Sequence, residues 1–323
     1  MYNKYYLGID IGGTKSAVIA GRENMEILDR ISFPTETQKG PSHAINLLLK
    51  SAGSITEKLG LHGLQSVGIS CGGPLDSKKG IVQSPPNLPG WDNIPVVRLF
   101  EDALHVPAFL QNDANACALA EWKFGAGKGT ENMIFLTFGT GMGAGIIIEG
   151  RLYSGTNDLA GEVGHIRLAD EGPEAYGKKG SFEGFCSGTG IALIAKKIIC
   201  EKLNNGEIVS FCSNIEKADK LTTKDIAEAA AKGDKTALEI FEFSGKQLGK
   251  GLSILIDILN PQLIVIGSIY ARCTQFFEPS CMEIIRQEAL EPSRSVCRIV
   301  PAALGEQVGD FASLSVAMCA KNL

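Results

Sequence analysis

At 323 residues the chain exceeds the usual single-core size, so two domains are expected, each able to bury a core. Thirty-one basic and 36 acidic residues give a net charge of −5 with no basic block, which argues against nucleic acid as a partner. The longest weakly charged stretch, 251–271, is broken by Asp257, Asn260 and Pro261, and the nine cysteines are scattered with no C-x-x-C spacing. No membrane span is expected, and the thiols read as reduced core residues of a cytoplasmic protein.

The opening residues, Met1-Tyr2-Asn3-Lys4-Tyr5-Tyr6, carry no apolar signal core or cleavage site and lead into a strand over 5–10. A glycine turn, Ile11-Gly12-Gly13-Thr14-Lys15, and a returning strand over 16–20 follow. Glycines permit positive φ and let successive backbone N–H groups face one concavity, so the turn reads as a phosphate cradle. Asp10 stands beside it, where a carboxylate can hold Mg²⁺ through water. The plainer reading is a tight hairpin with a solvent-facing Asp.

Apolar residues at helical spacing predict a helix over 43–59, ended by Gly60, and a buried strand over 67–70. From Cys71-Gly72-Gly73-Pro74 a Pro/Asn/Gly-rich loop runs to Trp91; Gln83, Ser84, Asn87 and Trp91 suit either a polar, sugar-sized pocket or a surface loop pinned by prolines. A strand over 107–110 leads through Gln111-Asn112-Asp113 into an Ala-rich helix over 114–124. Asp113 is placed to cap that helix, with the dipole favouring its ionised form, or to accept the proton of an attacking hydroxyl.

The opening plan then recurs. Strands over 134–138 and 144–148 flank Gly139-Thr140-Gly141-Met142-Gly143, and two hairpins of one design suggest a duplicated domain gripping a polyphosphate from both sides. Gly161-Glu162-Val163-Gly164-His165 sets an acid and an imidazole close together, which taken alone is more often a surface feature.

Beyond this point the pattern predicts a helix over 188–203, an exposed excursion over 204–219 and a capped helix start at Thr222-Thr223-Lys224-Asp225. A long helix over 235–259 stops at Asn260-Pro261, and a strand over 263–266 is followed by a turn at Gly267-Ser268. A helix over 276–290, a strand over 296–301 and a terminal helix over 309–323 complete an α/β chain.

Taken together, these segments resemble the ROK family (repressor, open reading frame, kinase) of sugar kinases, glucokinase-like and N-acetylhexosamine kinase-like, over essentially the whole chain. The carriers are Asp10-Ile11-Gly12-Gly13-Thr14-Lys15, Pro86-Asn87-Leu88-Pro89-Gly90-Trp91, Asn112-Asp113-Ala114-Asn115-Ala116, Gly139-Thr140-Gly141-Met142-Gly143-Ala144-Gly145, Gly161-Glu162-Val163-Gly164-His165, Glu183 and Asn260-Pro261. The resemblance implies a two-lobed actin-like ATPase fold, a duplicated ribonuclease H-like domain, with 1–112 plus 305–323 as small lobe and 113–304 as large lobe. It implies ATP-dependent phosphorylation of a hexose or N-acetylhexosamine hydroxyl, O6 by family habit, in a homodimer. Asp10 would sit near Mg²⁺, while Gly12, Gly13, Thr14, Lys15, Gly139, Thr140, Gly141, Gly143 and Gly267 would meet ATP. Asn112, Glu162, His165 and Glu183 would bind sugar hydroxyls, completed by Gly73 and Asn87, with Asp113 as base.

Three departures stand out. The family's zinc cysteines are replaced by Glu174, Tyr176 and Ser181, leaving His165 of the usual set, so no structural zinc is expected; Cys186 is close in sequence but offers only an improvised ligand. Gly267-Ser268-Ile269 stands where the family often has three glycines near the adenosine, and Gly72-Gly73-Pro74 differs from commoner pocket sequences. The alternative function is a sugar-binding regulator of the same family, catalytically degenerate; with the Asp-Ile-Gly-Gly-Thr strand so early, no DNA-reading extension is expected.

Overall fold

A computed structural model describes residues 4–323; Met1, Tyr2 and Asn3 of the expected leaderless start lie outside the described residues. The chain divides into two compact units. One holds the described residues of Met1–Phe135 with Gly145–Gly161 and Ala303–Leu323; the other holds Leu136–Ala144 and Glu162–Ala302.

In the first unit β1 (Tyr5–Ile11), β2 (Lys15–Gly21) and β3 (Ile27–Pro34) form an antiparallel meander. Leu7, Ile9 and Ile11, spaced by two, are all at most 2% exposed, so one face of β1 lies wholly in the core. The third strand goes beyond the expected hairpin. Helix α1 (Pro41–Leu59) has Pro in its first turn and ends at Gly60 with φ 86°. It is followed by β4 (Leu64–Cys71), a small hairpin of β5 (Leu75–Asp76) and β6 (Ile81–Val82), α2 (Val96–Leu104), β7 (Ala108–Asn112) and α3 (Asp113–Phe124). Strands β1, β4 and β7 pair in parallel, giving the order β3-β2-β1-β4-β7. Leu48 and Ile55 of α1 and Phe100 of α2 join Ile9 and Ile69 in one apolar cluster.

The sheet also carries the C-terminal helix Val308–Met318. A Cβ on Gly8 would collide with the Ser313 hydroxyl, and one on Gly68 with backbone atoms of Ser313 and Ala317. The helix therefore lies directly on the sheet backbone.

Next come β8 (Met133–Phe138), β9 (Met142–Ile148) and β10 (Arg151–Leu152), then a hairpin of β11 (Glu174–Ala175) and β12 (Lys178–Lys179). Helices α4 (Phe182–Cys186), α5 (Gly188–Asn204), α6 (Ile215–Ala218), α7 (Thr223–Ala231) and α8 (Lys235–Leu259) follow. The chain closes with β13 (Leu263–Ile266), α9 (Ser268–Glu288), α10 (Glu291–Val296), β14 (Arg298–Pro301) and α11, the C-terminal helix. The second sheet runs β10-β9-β8-β13-β14. Each sheet thus lines up three sequence-adjacent strands with two later ones that pair in parallel, the duplication that the two glycine hairpins suggested.

Several boundaries differ from expectation. The 204–219 segment is not simply exposed: it contains α6, and Val209 and Cys212 are buried. Helix α9 starts at Ser268 rather than 276, because Gly267 is its N-cap and a kink at Cys273 (φ −127°) separates a first turn from the limb that sequence periodicity detects. Residues 291–296 form α10, so β14 starts at Arg298, and α11 ends at Met318 before a short turn of 3-10 helix. Among the described residues no helix is long and apolar enough to cross a membrane.

Glu121 on α3 is fully buried and ties two distant stretches of the first unit. Its Oε2 accepts from the amides of Ala126 (2.9 Å) and Ala303 (3.2 Å), and its Oε1 from that of Leu304 (2.8 Å). Glu121→Ala would leave three amides without their acceptor, so a loss of about 3 kcal/mol or more is expected in chemical denaturation. A loss below about 1 kcal/mol would show that water replaces the carboxylate without cost.

Candidate active site

The parallel register brings the first unit's candidates to one edge. Ile11 pairs with Cys71 and Cys71 with Asn112, while Asp10 pairs with Ser70 and Ser70 with Gln111. Asp10, the Gly12–Gly13 turn, Gly72-Gly73 and Asn112-Asp113 therefore all leave the carboxyl ends of adjacent strands, where α/β folds bind ligands.

Asn112, not Asp113, is the N-cap of α3: its Oδ1 accepts from the Asn115 amide at 2.8 Å. That leaves its Nδ2 for a ligand. Asp113 is the first helical residue and accepts from the Ala114 amide at 2.8 Å. Its side chain reaches solvent, yet protein surrounds it on most sides, and this desolvation raises its carboxyl above the ordinary value of 3.8 despite that amide. Burial thus opposes the ionised form that the helix start favours.

Half-buried Asp10 is pushed up to about 6, first by burial and then by the negative charges of Asp310 and Asp113; Arg30 and Lys15 oppose this. Arg30 is engaged by Asp310, Nε to Oδ2 at 2.9 Å. A carboxylate under two like charges is where a cation relieves the repulsion. Mg²⁺, which takes one or two carboxylates and keeps its water, fits that donor set. Among the described residues no group of three or more His, Cys, Asp or Glu side chains is arranged to hold a metal.

The Gly12–Lys15 turn is held by Thr35, just past β3 and fully buried. Its hydroxyl donates to the Gly12 carbonyl at 2.6 Å and its amide to the Thr14 carbonyl at 2.9 Å. The glycines serve close approach rather than positive φ: neither takes a left-handed conformation. A Cβ on Gly12 would lie 2.6 Å from the Lys15 carbonyl, and one on Gly13 2.6 Å from the Asn87 carbonyl. The Asn87 amide also faces Gly72, 3.2 Å from where a Cβ would be, so Asn87 sits against both turns; a Cβ on Gly73 would meet open space. Its loop neighbours Leu88 and Trp91 are in the core, at 0% and 1% exposure, so Trp91 lines no polar pocket.

The second unit assembles the remaining candidates. The Gly139 amide donates to the Gly141 carbonyl at 3.1 Å, and the Gly143 amide to the Thr137 hydroxyl at 2.8 Å. Glu183 on α4 accepts from the Met142 amide at 2.8 Å. A Cβ on Gly141 would sit 2.9 Å from that carboxylate, and one on Gly164 2.5 Å from the Met142 carbonyl, so Glu183 and the glycines lock the Gly139–Gly143 turn onto the 162–165 segment. Glu162 precedes and His165 ends the 3-10 turn Val163–His165, and both are exposed. Gly267 donates to the Leu136 carbonyl at 3.0 Å and Gly188 to the Gly139 carbonyl at 2.8 Å, placing the starts of α9 and α5 beside the same turn.

Where the family's zinc loop would lie, other contacts act. Tyr176 packs its ring 5.5 Å from that of His165, Lys178 donates to the His165 carbonyl at 2.6 Å, and Ser181 caps α4 by accepting from the Gly184 amide at 3.1 Å. Cys186 is fully buried, its thiol on the Ser244 carbonyl. Sequence reasoning missed Thr35, Asp310 and Glu121, whose roles depend on long-range pairing.

Two like sheets, each beginning with a hairpin turned by glycines, define an α/β protein of the actin-like ATPase fold. The chain belongs to the ROK family, a model of which matches residues 6–317. A glucokinase from Halalkalibacterium halodurans is 34% identical over 274 residues, which is 83% of this chain and 81% of that protein. The DNA-binding transcriptional dual regulator NagC of Escherichia coli is 29% identical over 322 residues, 98% of this chain and 76% of the regulator. A ROK family glucokinase from Streptomyces griseus, solved in complex with glucose and AMPPNP, superposes with a TM-score of 0.75 at 28% identity, covering 98% of this chain and 99% of that one.

A raised carboxyl in the folded state means that stability is fully present at low pH and falls as pH rises from the unfolded value of 3.8 through about 6. Asp10→Asn should therefore gain stability over the wild type at pH 7, by about 2–3 kcal/mol without divalent cation, and not at pH 3.5. Urea midpoints at both pH values test this; an equal offset at both would remove the Asp10 charge as the cause.

Proposed function

We propose that this chain is an ATP-dependent sugar kinase that phosphorylates a hydroxyl, O6 by family likeness, of a hexose or N-acetylhexosamine. The observation that carries the reading is Asp113: a carboxylate of raised proton affinity, at the carboxyl edge of a parallel sheet, beside a second carboxylate under like-charge stress. Likeness to the glucokinases supports it.

In this reading Asp113 accepts the proton of the sugar hydroxyl as its oxygen bonds to the γ-phosphorus and the bond to ADP breaks. Phosphoryl transfer is loose, so the base chiefly orients the nucleophile. Mg²⁺, held through water by Asp10, would supply charge neutralisation to the phosphates. Backbone amides of the Gly12–Lys15 turn would face them, and in the second turn those of Thr140 and Gly141, since Gly139, Met142 and Gly143 donate within the protein. Gly267 meets the nucleotide. The Asn112 amide, Glu162, His165, Glu183 and Asn87, with Gly73, bind the sugar, and a mismatched hydroxyl leaves such groups unpaired. A homodimer and a cytoplasmic location belong to the same proposal.

Likeness to NagC supports a second reading, a sugar-binding regulator that does not phosphorylate its ligand. The two readings part at Asp113. If the kinase reading holds, Asp113→Asn lowers turnover by roughly 10²-fold or more while sugar affinity by calorimetry is kept. The wild-type kcat should also rise with pH through a value above the ordinary 3.8, a limb that the variant lacks, since the base must be ionised. Unchanged turnover in the variant would exclude Asp113 as base.

A further inference from the structure

Ser268 is a non-glycine residue at φ 53°, a left-handed conformation that strains any residue with a Cβ and that glycine would adopt freely. Strain of this kind persists where a side chain is needed in place. The Ser268 side chain is exposed, and its Oγ lies 3.7 Å from where a Cβ on Gly139 would be, so the hydroxyl stands over the glycine turn. From behind, the Arg272 guanidinium donates to the Ser268 carbonyl through Nε and to Oγ through Nη2, both at 3.3 Å. A hydroxyl that accepts from a guanidinium directs its own proton elsewhere and becomes a stronger donor. Both sides of the arrangement are fixed, since Gly267 is bonded to Leu136 and Gly139 to Gly188.

We propose that Ser268 is a donor-specificity residue whose hydroxyl donates to a phosphoryl oxygen of the nucleotide, with Arg272 as its positioning residue. The inference rests on the kinase reading of the glycine turn. A phosphoryl oxygen is the partner favoured, because the guanidinium that orients the hydroxyl also brings positive charge to that side of the turn.

Strain and recognition give opposite signs, which makes the inference testable by binding and denaturation alone. Ser268→Gly should raise the denaturation midpoint, since the strain is released, yet weaken AMPPNP and ADP binding about tenfold while leaving adenosine binding unchanged. Ser268→Ala should lose the same affinity with no gain in stability, which separates the hydroxyl from the backbone. Arg272→Gln should weaken AMPPNP in the wild-type background and add little in Ser268→Gly; fully additive losses would overturn its positioning role. Ser268→Gly that binds AMPPNP as tightly as wild type, or that loses adenosine equally, would overturn the phosphoryl contact. A wild-type protein that binds no AMPPNP would instead refute the donor reading itself, and this inference with it.

Discussion

Parallel pairing of β1, β4 and β7 is the constraint on which the first unit's chemistry depends. Because Ile11, Cys71 and Asn112 are in register, three loops leave the sheet side by side, and Asp113 comes close enough to raise the cost of ionising Asp10. A slip by one residue in any pair would send alternate side chains to the opposite face and scatter the set. The register is protected by α11, which covers the face that Asp10 shares with Gly8. Small residues at Gly8 and Gly68 let α11 rest on the backbone, and Glu121 fastens the chain that leads into that helix.

Against this well-paired frame, candidate residues in each unit break local rules. Asp10 holds a negative charge among negative charges, the Asp113 carboxyl is raised by its protein surroundings although its side chain reaches solvent, and Ser268 keeps a left-handed backbone that its side chain disfavours. Such violations are expected where binding, rather than folding, selects the residue. In the proposed reading each would find its relief in a ligand: a divalent cation beside Asp10, an acceptor for the Ser268 proton, and a hydroxyl proton for Asp113.

Local signals made much of the fold legible. The 235–259 helix is legible by its stop at Asn260, which takes φ 43°, before Pro261, and the Thr222–Asp225 capping box by its residue types; the Asp234 cap is added by the structure. Strand β3 escaped because its residues, ILDRISFP, are at most half-buried and charged, so no apolar run marks it. With β3 unseen, the grip of Thr35 on the Gly12–Lys15 turn had no signal either. Glycine turns were legible as such, but the reason for glycine was not. The approach of Asn87 to Gly13 and of Glu183 to Gly141 joins residues far apart in sequence, and no local pattern reports it. Asn112 and Asp113 were both found, with their capping roles exchanged, because cap geometry depends on where β7 ends.

The central claim is phosphoryl transfer to a sugar, and ADP release from Mg·ATP by the purified protein tests it most directly. Glucose, mannose, fructose, allose, N-acetylglucosamine and N-acetylmannosamine form the panel. The account predicts sugar-dependent ADP production with one strong preference, which would also name the substrate. No sugar exceeding the no-sugar rate, while one raises the melting temperature, would contradict it in favour of a binding-only regulator.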